Sequence, residues 1–386
     1  MPRLSVIPLS LSLAACLLAA SCDGGGGAGG DVPVPPGAPE APEGGSTSAP
    51  FPKSVAVSGV SVRFETLVER APGSDNWALT WAEDGAQYVT WGDGGGFGGD
   101  DQEGRVSMGV ARIEGEPEDF TAVNVWGGKD ALAEAAYPGK SYGLLAVGPD
   151  LWLWRTGEAS DESAFELQDL FVSRDGGLTF EPAGVSFTAD EFTAGGFFAP
   201  TFLQFGPGYA GARDEYVYVY APERKNDEWE VQKPGEIALL RVPVRSIGNR
   251  ASYEFFAGLD AAGTPAWTSA LDDRKPVFSD AENGVMRTSV TFNAGLGRYF
   301  LVTQQGTRQK GGYIGIYEAT EPWGPWRSVL VEDAWDLGLQ EGEKSVYWNF
   351  SNKWTSADGR QAALVYTGPG DDNLGVVMVE LAPPGG

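Results

Sequence analysis

Histidine is absent from all 386 residues. A Ser-His-Asp triad, a Cys-His pair, a histidine general base and a histidine-ligated zinc are therefore excluded, and acid–base chemistry must rest on carboxylates, tyrosine or lysine. Cysteine is nearly absent as well: Cys16 and Cys22 are the only two. Both belong to an N-terminal segment in which Arg3 precedes the apolar stretch from Leu4 to Ala20, ending in "LLAASC". This is the pattern of a bacterial lipoprotein signal, too short and too soon followed by glycine for a stable membrane span. Cys16, in "LAAC", has Leu13 three residues upstream. Cys22 has the longer apolar lead and a flexible segment directly after it, and is the preferred lipidation site. Plain secretion with cleavage nearby is the alternative. If residues 1–21 leave as the signal, no free thiol remains, so disulfide frameworks, thiol nucleophiles and thiolate metal sites drop out too.

Positive charge is scarce. Lys and Arg number 27 against 53 Asp and Glu, a formal net charge of -26. Such a surface repels nucleic acid and anionic lipid head groups, leaving the lipid anchor as the one expected membrane contact. A neutral polymer such as a polysaccharide is indifferent to it. Residues 22–50, rich in Gly, Pro, Ala and Ser, cannot bury enough apolar surface to fold and read as a tether. Long helical patterns are missing; "KDALAEAAYPGK", 129–140, predicts at most one or two helical turns before Pro138.

What the chain has is 13 Trp, 13 Tyr and 19 Phe alongside 55 Gly and 26 Pro, the composition of many short strands and tight turns. Strand-like runs such as "YGLLAVGPDLWLWR", "EYVYVYAP", "IALLRVPV" and "LGVVMVEL" recur from residue 51 to 386. They predict an all-β fold, a β-propeller of four-stranded antiparallel blades. One run carries a marker: "SRDGGLTF" sets Ser173, Asp175, Gly177, Thr179 and Phe180 in the S-x-D-x-G-x-T-aromatic order. It resembles the Asp-box of sialidase-like propellers, which implies a structural role for Asp175 in a hairpin turn.

The segment "SDNWALTWAEDGAQYVTWGDGGGFGG", 74–99, reads as a hairpin. With Asp84-Gly85 as a two-residue turn, Trp81 faces Tyr88, Leu79 faces Thr90, Trp77 faces Gly92 and Asn76 faces Asp93. Asp75 then lies diagonal to Asp93, and diagonal Cβ atoms are ~7 Å apart. Both carboxylates reach one edge of the sheet. Such a pair suits glycoside hydrolysis, in which one acid protonates the leaving oxygen and the other acts as nucleophile or base. Gly94, Gly95, Gly96, Gly98 and Gly99 would let a bulky polymer approach. By spacing alone, other readings stand beside this one: the two acids cap turns, or they hold a structural calcium ion with Asp100 and Asp101. No cofactor is required.

Together with "PTFLQFG", "ARDEYVYVYAP", "LLRVP", "YEFFAGLDAAGTPAW" and "YEATEPWGPW", this hairpin resembles the domain-of-unknown-function family numbered 4185. The resemblance covers nearly the whole chain after the tether. It implies a five-bladed propeller related to furanosidase-type glycoside hydrolases, among them glycoside hydrolase family 183, whose members cut D-arabinan internally. It also implies catalytic roles for Asp75 and Asp93. Candidate substrate-binding residues are Asn76 and Trp77 in the hairpin, with Lys140, Arg287 and Lys353 at strand ends. Trp77 and Trp91 could stack on a sugar face, but tryptophans at such strand positions are more often core. Glu254 and Glu318 read as structural, and Asp214 and Glu215 as reserve acids. The alternative to a hydrolase is a non-catalytic propeller that binds glycan or protein.

Overall fold

The structure is a computed structural model; it describes residues 48–157, 165–226, 228–306, 312–334, 337–339 and 344–384. The signal segment, Cys16, Cys22 and the tether up to residue 47 lie outside the described residues. Ser48 already belongs to the fold, its hydroxyl donating to Glu282 at 2.8 Å and its carbonyl accepting from Asn283 at 3.0 Å. Among the described residues no helix is long and apolar enough to cross a membrane.

The described chain is built from strands, with only short 3-10 turns between some of them. Strand β1 (Gly59–Arg70) stands apart from its sequence neighbours. β2 (Asp75–Trp81), β3 (Gln87–Gly92), β4 (Met108–Glu116) and β5 (Asp119–Trp126) form one four-stranded antiparallel sheet. β6 (Lys140–Val147), β7 (Asp150–Thr156), β8 (Leu167–Ser173) and β9 (Glu181–Thr188) form a second. A third region contains β10 (Thr201–Gln204), β11 (Tyr216–Pro222), β12 (Gly235–Pro243), β13 (Glu254–Leu259), β14 (Pro265–Thr268) and β15 (Pro276–Asp280). A fourth contains β16 (Thr288–Asn293), β17 (Arg298–Gln305), β18 (Tyr313–Ala319) and β19 (Arg327–Asp333). Finally β20 (Lys344–Thr355), β21 (Gln361–Gly370) and β22 (Leu374–Ala382) are completed by β1, which pairs along β22.

The third region departs from a plain four-stranded unit. The outer edge of β12 is shared, its first half pairing with β15 and its second with β13. Its inner strand β10 pairs in parallel with β16 through Leu203–Val290 and Gln204–Thr291, so the third and fourth regions merge into one large sheet.

The innermost strands β2, β6, β10, β16 and β20 neighbour one another in a closed cycle. Elsewhere in that cycle, polar side chains replace direct ladder pairing. Thr80 Oγ1 accepts from Ala146 N–H (2.9 Å), and Gln204 Nε2 donates to the Leu144 carbonyl (2.8 Å). Ser289 Oγ donates to Trp348 O (2.7 Å), and Asn349 Nδ2 donates to Trp77 O (3.0 Å). Buried polar groups at these positions are satisfied by the neighbouring strand.

Successive side chains of a strand point to opposite faces, and both faces here are covered. Leu151 and Leu153 pack towards β2–β5, while Trp152 and Trp154 of the same strand pack towards the third region. Trp77 and Leu79 pack against Val365 and Val376; Ala78 points the other way. The predicted helical turns over 129–140 are absent. Ala133 instead forms an isolated bridge to Trp126, its N–H donating to Val125 O, because this segment adds to the edge of β5 rather than hydrogen-bonding to itself.

The S-x-D-x-G-x-T segment forms the β8–β9 turn. Asp175 accepts from Ser173 Oγ (2.8 Å), Thr179 N–H (2.9 Å) and Thr179 Oγ1 (2.6 Å), and Phe180 is buried beneath. Partial burial raises the Asp175 pKa, but the hydrogen bonds from Thr179 and Ser173 outweigh it and hold the carboxyl below its ordinary value.

Candidate functional site

The β2–β3 hairpin turns on three residues, not two. Ala82 N–H donates to Ala86 O (2.9 Å), Gly85 takes φ +84°, and Asp84 Oδ1 accepts from Ala86 N–H at 2.9 Å. The register is consequently one residue away from the two-residue expectation: Trp81 faces Gln87, Leu79 faces Val89 and Ala78 faces Thr90. A bulge follows, with Asn76 and Trp77 set against Trp91 alone, and it places Asp75 directly opposite Gly92. Asn76, at φ +58°, takes the left-handed conformation that glycine often supplies in bulges. Asp93 follows immediately, also left-handed at φ +55°. The detailed pairing thus differs from expectation, yet the hairpin brings both acids to its open end.

Gly92 pairs with Asp75 and directly precedes Asp93. A Cβ on Gly92 would stand 2.9 Å from Lys140 Cδ, 3.2 Å from Asp75 Oδ1 and 3.6 Å from Asn76 Nδ2. Lys140, the first residue of β6, extends past this point so that its Nζ lies 2.5 Å from Asp93 Oδ1; Arg105 approaches the same oxygen at 3.4 Å. Asn76 Nδ2 donates to Asp75 Oδ1 (2.8 Å), and its Oδ1 accepts from Arg287 Nε (2.7 Å). The Asn76 backbone N–H donates to Thr367 Oγ1 (2.8 Å), and Arg287 Nη1 donates to Gln304 Oε1 (2.7 Å). Asp75 is only 6% exposed, whereas the Asp93 side chain is 33% exposed. One carboxylate is buried and the other is partly exposed.

Tyr142 and Tyr347 are buried beside this cluster. The Tyr347 hydroxyl donates to the Tyr142 carbonyl, and the rings meet edge to face at 5.4 Å. Burial pushes the Tyr142 phenol well above its ordinary pKa; Arg287 works against that shift and Asp75 adds to it. Tyr142 therefore remains protonated, within electrostatic reach of Asp75. Tyr347, at φ +56°, and Ala199, at φ +46°, are also left-handed. Such a conformation is strained in a bulky residue, and strain of this kind gathers at functional sites. Asp75, Lys140, Arg287 and Tyr347 stand at or near the starts of innermost strands of four different regions.

Of the residues singled out from the sequence, Asp75, Asp93, Asn76, Lys140 and Arg287 come together. Trp77 does not face the site. It is fully buried, its indole N–H shared between Ser74 O (3.2 Å) and Asn373 O (3.0 Å), because the bulge turns it into the core beside Trp91. Trp91 is equally buried. Lys353 lies six residues beyond Tyr347 on β20, roughly 20 Å along the strand at the usual rise. Its neighbour Trp354 donates to Gly115 O at the β4–β5 turn, at the opposite end of the first sheet from Asp75.

The glycines after Asp93 have a different use from the expected one. A Cβ would fall 2.1 Å from Gly73 O at Gly94, 2.0 Å from Glu103 O at Gly95 and 2.5 Å from the Trp91 ring at Gly96. These residues let the loop fold tightly on itself; of the five, Gly98 alone faces open space. Asp100 caps that loop, accepting from the N–H groups of Gln102 and Glu103 at 2.7 Å each, while Asp101 pairs with Arg105. Among the described residues, no group of three or more acidic or Cys side chains is placed to hold a metal ion. Asp214 accepts from the Tyr218 hydroxyl (2.7 Å), Glu215 pairs with Arg245, and Glu254 pairs with Arg241 (2.7 Å). Buried Glu318 accepts from Ser54 Oγ (2.9 Å) and pairs with Arg298.

Sequence reasoning missed Tyr142, Arg105, Tyr347 and Trp229. The Trp229 ring lies 5.0 Å from the Arg287 guanidinium carbon and 5.9 Å from Tyr142. Only the clustering of aromatic residues near strand ends could have pointed to the tyrosines, and nothing local distinguishes Trp229.

No family model and no curated protein matches the chain, so the resemblance to family 4185 rests on the quoted segments alone. Solved structures similar to it include the GH43_1 enzyme from Xanthomonas citri, with 14% identity, coverage of 83% of this chain and 91% of that one, and a TM-score of 0.46. A thermostable family-43 glycoside hydrolase has 14% identity, coverage of 79% and 88%, and a TM-score of 0.45. An α-L-arabinofuranosidase from Fusarium graminearum has 10% identity, coverage of 85% and 98%, and a TM-score of 0.42.

Proposed function

We propose that the chain is a five-bladed propeller glycoside hydrolase, exported and anchored through Cys22, that cleaves a furanose polysaccharide internally, with D-arabinan the named substrate. The reading is carried by one observation: Asp75 faces Gly92 across the hairpin, with Asp93 the next residue and Lys140 laid against both positions. The closed cycle of innermost strands supports the five-bladed architecture. Asp75 and Asp93 divide the two roles of glycosidic cleavage. One carboxyl gives its proton to the bridging oxygen as the anomeric C–O bond breaks, and the other acts as nucleophile or as base towards water. Asn76 and Arg287 orient Asp75, and Lys140 holds Asp93. The absence of histidine leaves this chemistry to carboxylates.

A second reading, a non-catalytic glycan-binding propeller, is favoured by the close contact of Asp93 with Lys140, which gives that carboxylate a structural task. Incubation with arabinogalactan and lipoarabinomannan, followed by chromatography, separates the two. Release of oligosaccharides that Asp75→Asn and Asp93→Asn abolish supports the hydrolase. Glycan binding without product, unchanged in both variants, supports the binder.

A further inference from the structure

Trp229 contrasts with the core tryptophans. Trp77 and Trp91 are fully buried and donate their indole N–H groups to backbone carbonyls. Trp229 is half-buried, and its N–H is neither buried nor hydrogen-bonded among the described residues. The ring is nevertheless held on three sides, by Arg287 (5.0 Å), Phe165 (4.9 Å) and Tyr142 (5.9 Å). Arg287 bonds Asn76, which bonds Asp75, so the indole packs against the guanidinium that supports the buried carboxylate through Asn76.

The connection between β11 and β12 that carries Trp229 is organised by one side chain. Gln232 is fully buried. Its Oε1 accepts from the N–H groups of Lys225 (2.7 Å) and Asn226 (3.1 Å), and its Nε2 donates to Glu228 O (3.3 Å) and Glu230 O (3.1 Å). Its backbone exchanges hydrogen bonds with Val285, two residues before Arg287 (2.7 and 3.1 Å). The loop bearing Trp229 and the chain bearing Arg287 are thus joined at Gln232.

We propose that Trp229 is a sugar-contact residue of this site, offering its free indole N–H to a hydroxyl and its ring edge to the apolar face of the sugar unit beside Asp75, and that Gln232 is the residue that positions it. An aromatic with one polar donor suits a sugar, whose hydroxyls and C–H faces alternate. This rests on the hydrolase reading for the identity of the polymer but not for the contact itself.

The test uses the purified protein and arabinogalactan. Trp229→Ala raises KM about tenfold with kcat within about threefold, the size expected for one lost hydrogen bond and a ring contact. Trp229→Phe, which keeps a ring and loses the N–H, falls between. Because Gln232 acts through Trp229, Gln232→Ala raises KM in the wild-type background and adds nothing to Trp229→Ala. A wild-type KM in Trp229→Ala overturns the contact, and additive effects in the double variant overturn the positioning role. Calorimetric titration of Asp75→Asn, with and without Trp229→Ala, reads binding apart from turnover. If the wild type releases no oligosaccharide, the hydrolase reading fails while a tenfold loss of affinity on removing Trp229 still upholds the contact. If the wild type binds no arabinogalactan, the contact is refuted.

Discussion

The two ends of the first hairpin are built on opposite principles. At its turn, Glu83, Asp84 and Gly85 close the loop with local interactions: the left-handed conformation falls on a glycine, and the capping carboxylate reaches two residues ahead. At its open end the left-handed conformations fall on Asn76 and Asp93, the residue types beside glycine that tolerate them best. Their partners there include Thr367, Arg287 and Lys140, remote in the chain. One end is specified by its own residues, the other by the assembled molecule. The acids proposed to carry the chemistry lie at the end whose geometry is imposed from outside.

That contrast can be broken at graded cost. Asp75→Asn or Asp93→Asn should lower turnover by roughly 10²–10⁴-fold, measured as reducing-end release, while thermal melting confirms an intact fold; full activity in either would end the assignment. Asn76→Ala removes the acceptor of buried Arg287 and leaves a left-handed alanine, so denaturant melts should show a loss of about 2–4 kcal/mol. Asn76→Gly, free of the conformational term, should lose about 1 kcal/mol less. Gly92→Ala forces Lys140 Cδ and Asp75 Oδ1 aside, and we expect about a tenfold fall in kcat from misplacement of the carboxylates, with melting nearly unchanged. At the locally specified end, Gly85→Ala should cost about 1 kcal/mol and leave KM and kcat alone.

The smallest effect belongs to the Asp-box turn, another locally coded loop. The Asp175 carboxyl is held below its ordinary value of 3.8. Its contribution is therefore present above that value and is lost as pH falls through the lower folded-state pKa. Asp175→Asn should melt slightly below the wild type at neutral pH, and the gap should close under acid. A gap that widens instead would reverse the sign of the linkage.

The same division explains what could be read from the chain. All-β architecture, the S-x-D-x-G-x-T turn and the placing of Asp75 and Asp93 at the same end of the hairpin follow from strand alternation and turn residues, which act over a few positions. The register did not, because a three-residue turn and a bulge at Asn76 each move the pairing by one. Trp77 entered the core for that reason, although its position suggested a sugar platform. Lys353 was placed at a strand end without knowledge of which end, and β20 carries it away from the acids. The third region merged with the fourth because β10 and β16 pair directly, a contact between segments some ninety residues apart that no local pattern encodes. Trp229 was invisible for a similar reason: its loop owes its shape to Gln232 and its place to Arg287.

The pairing of β1 with β22 carries a temporal consequence. Gly59 meets Ala382 and Arg70 meets Leu374, so the first of the described strands must wait for β22 to be synthesised before it has this neighbour. Until then the ring stays open, and a ribosome-bound or partly threaded polypeptide lacks its clasp. Were the chain exported unfolded, as proposed, such a delay would keep premature closure from blocking the passage.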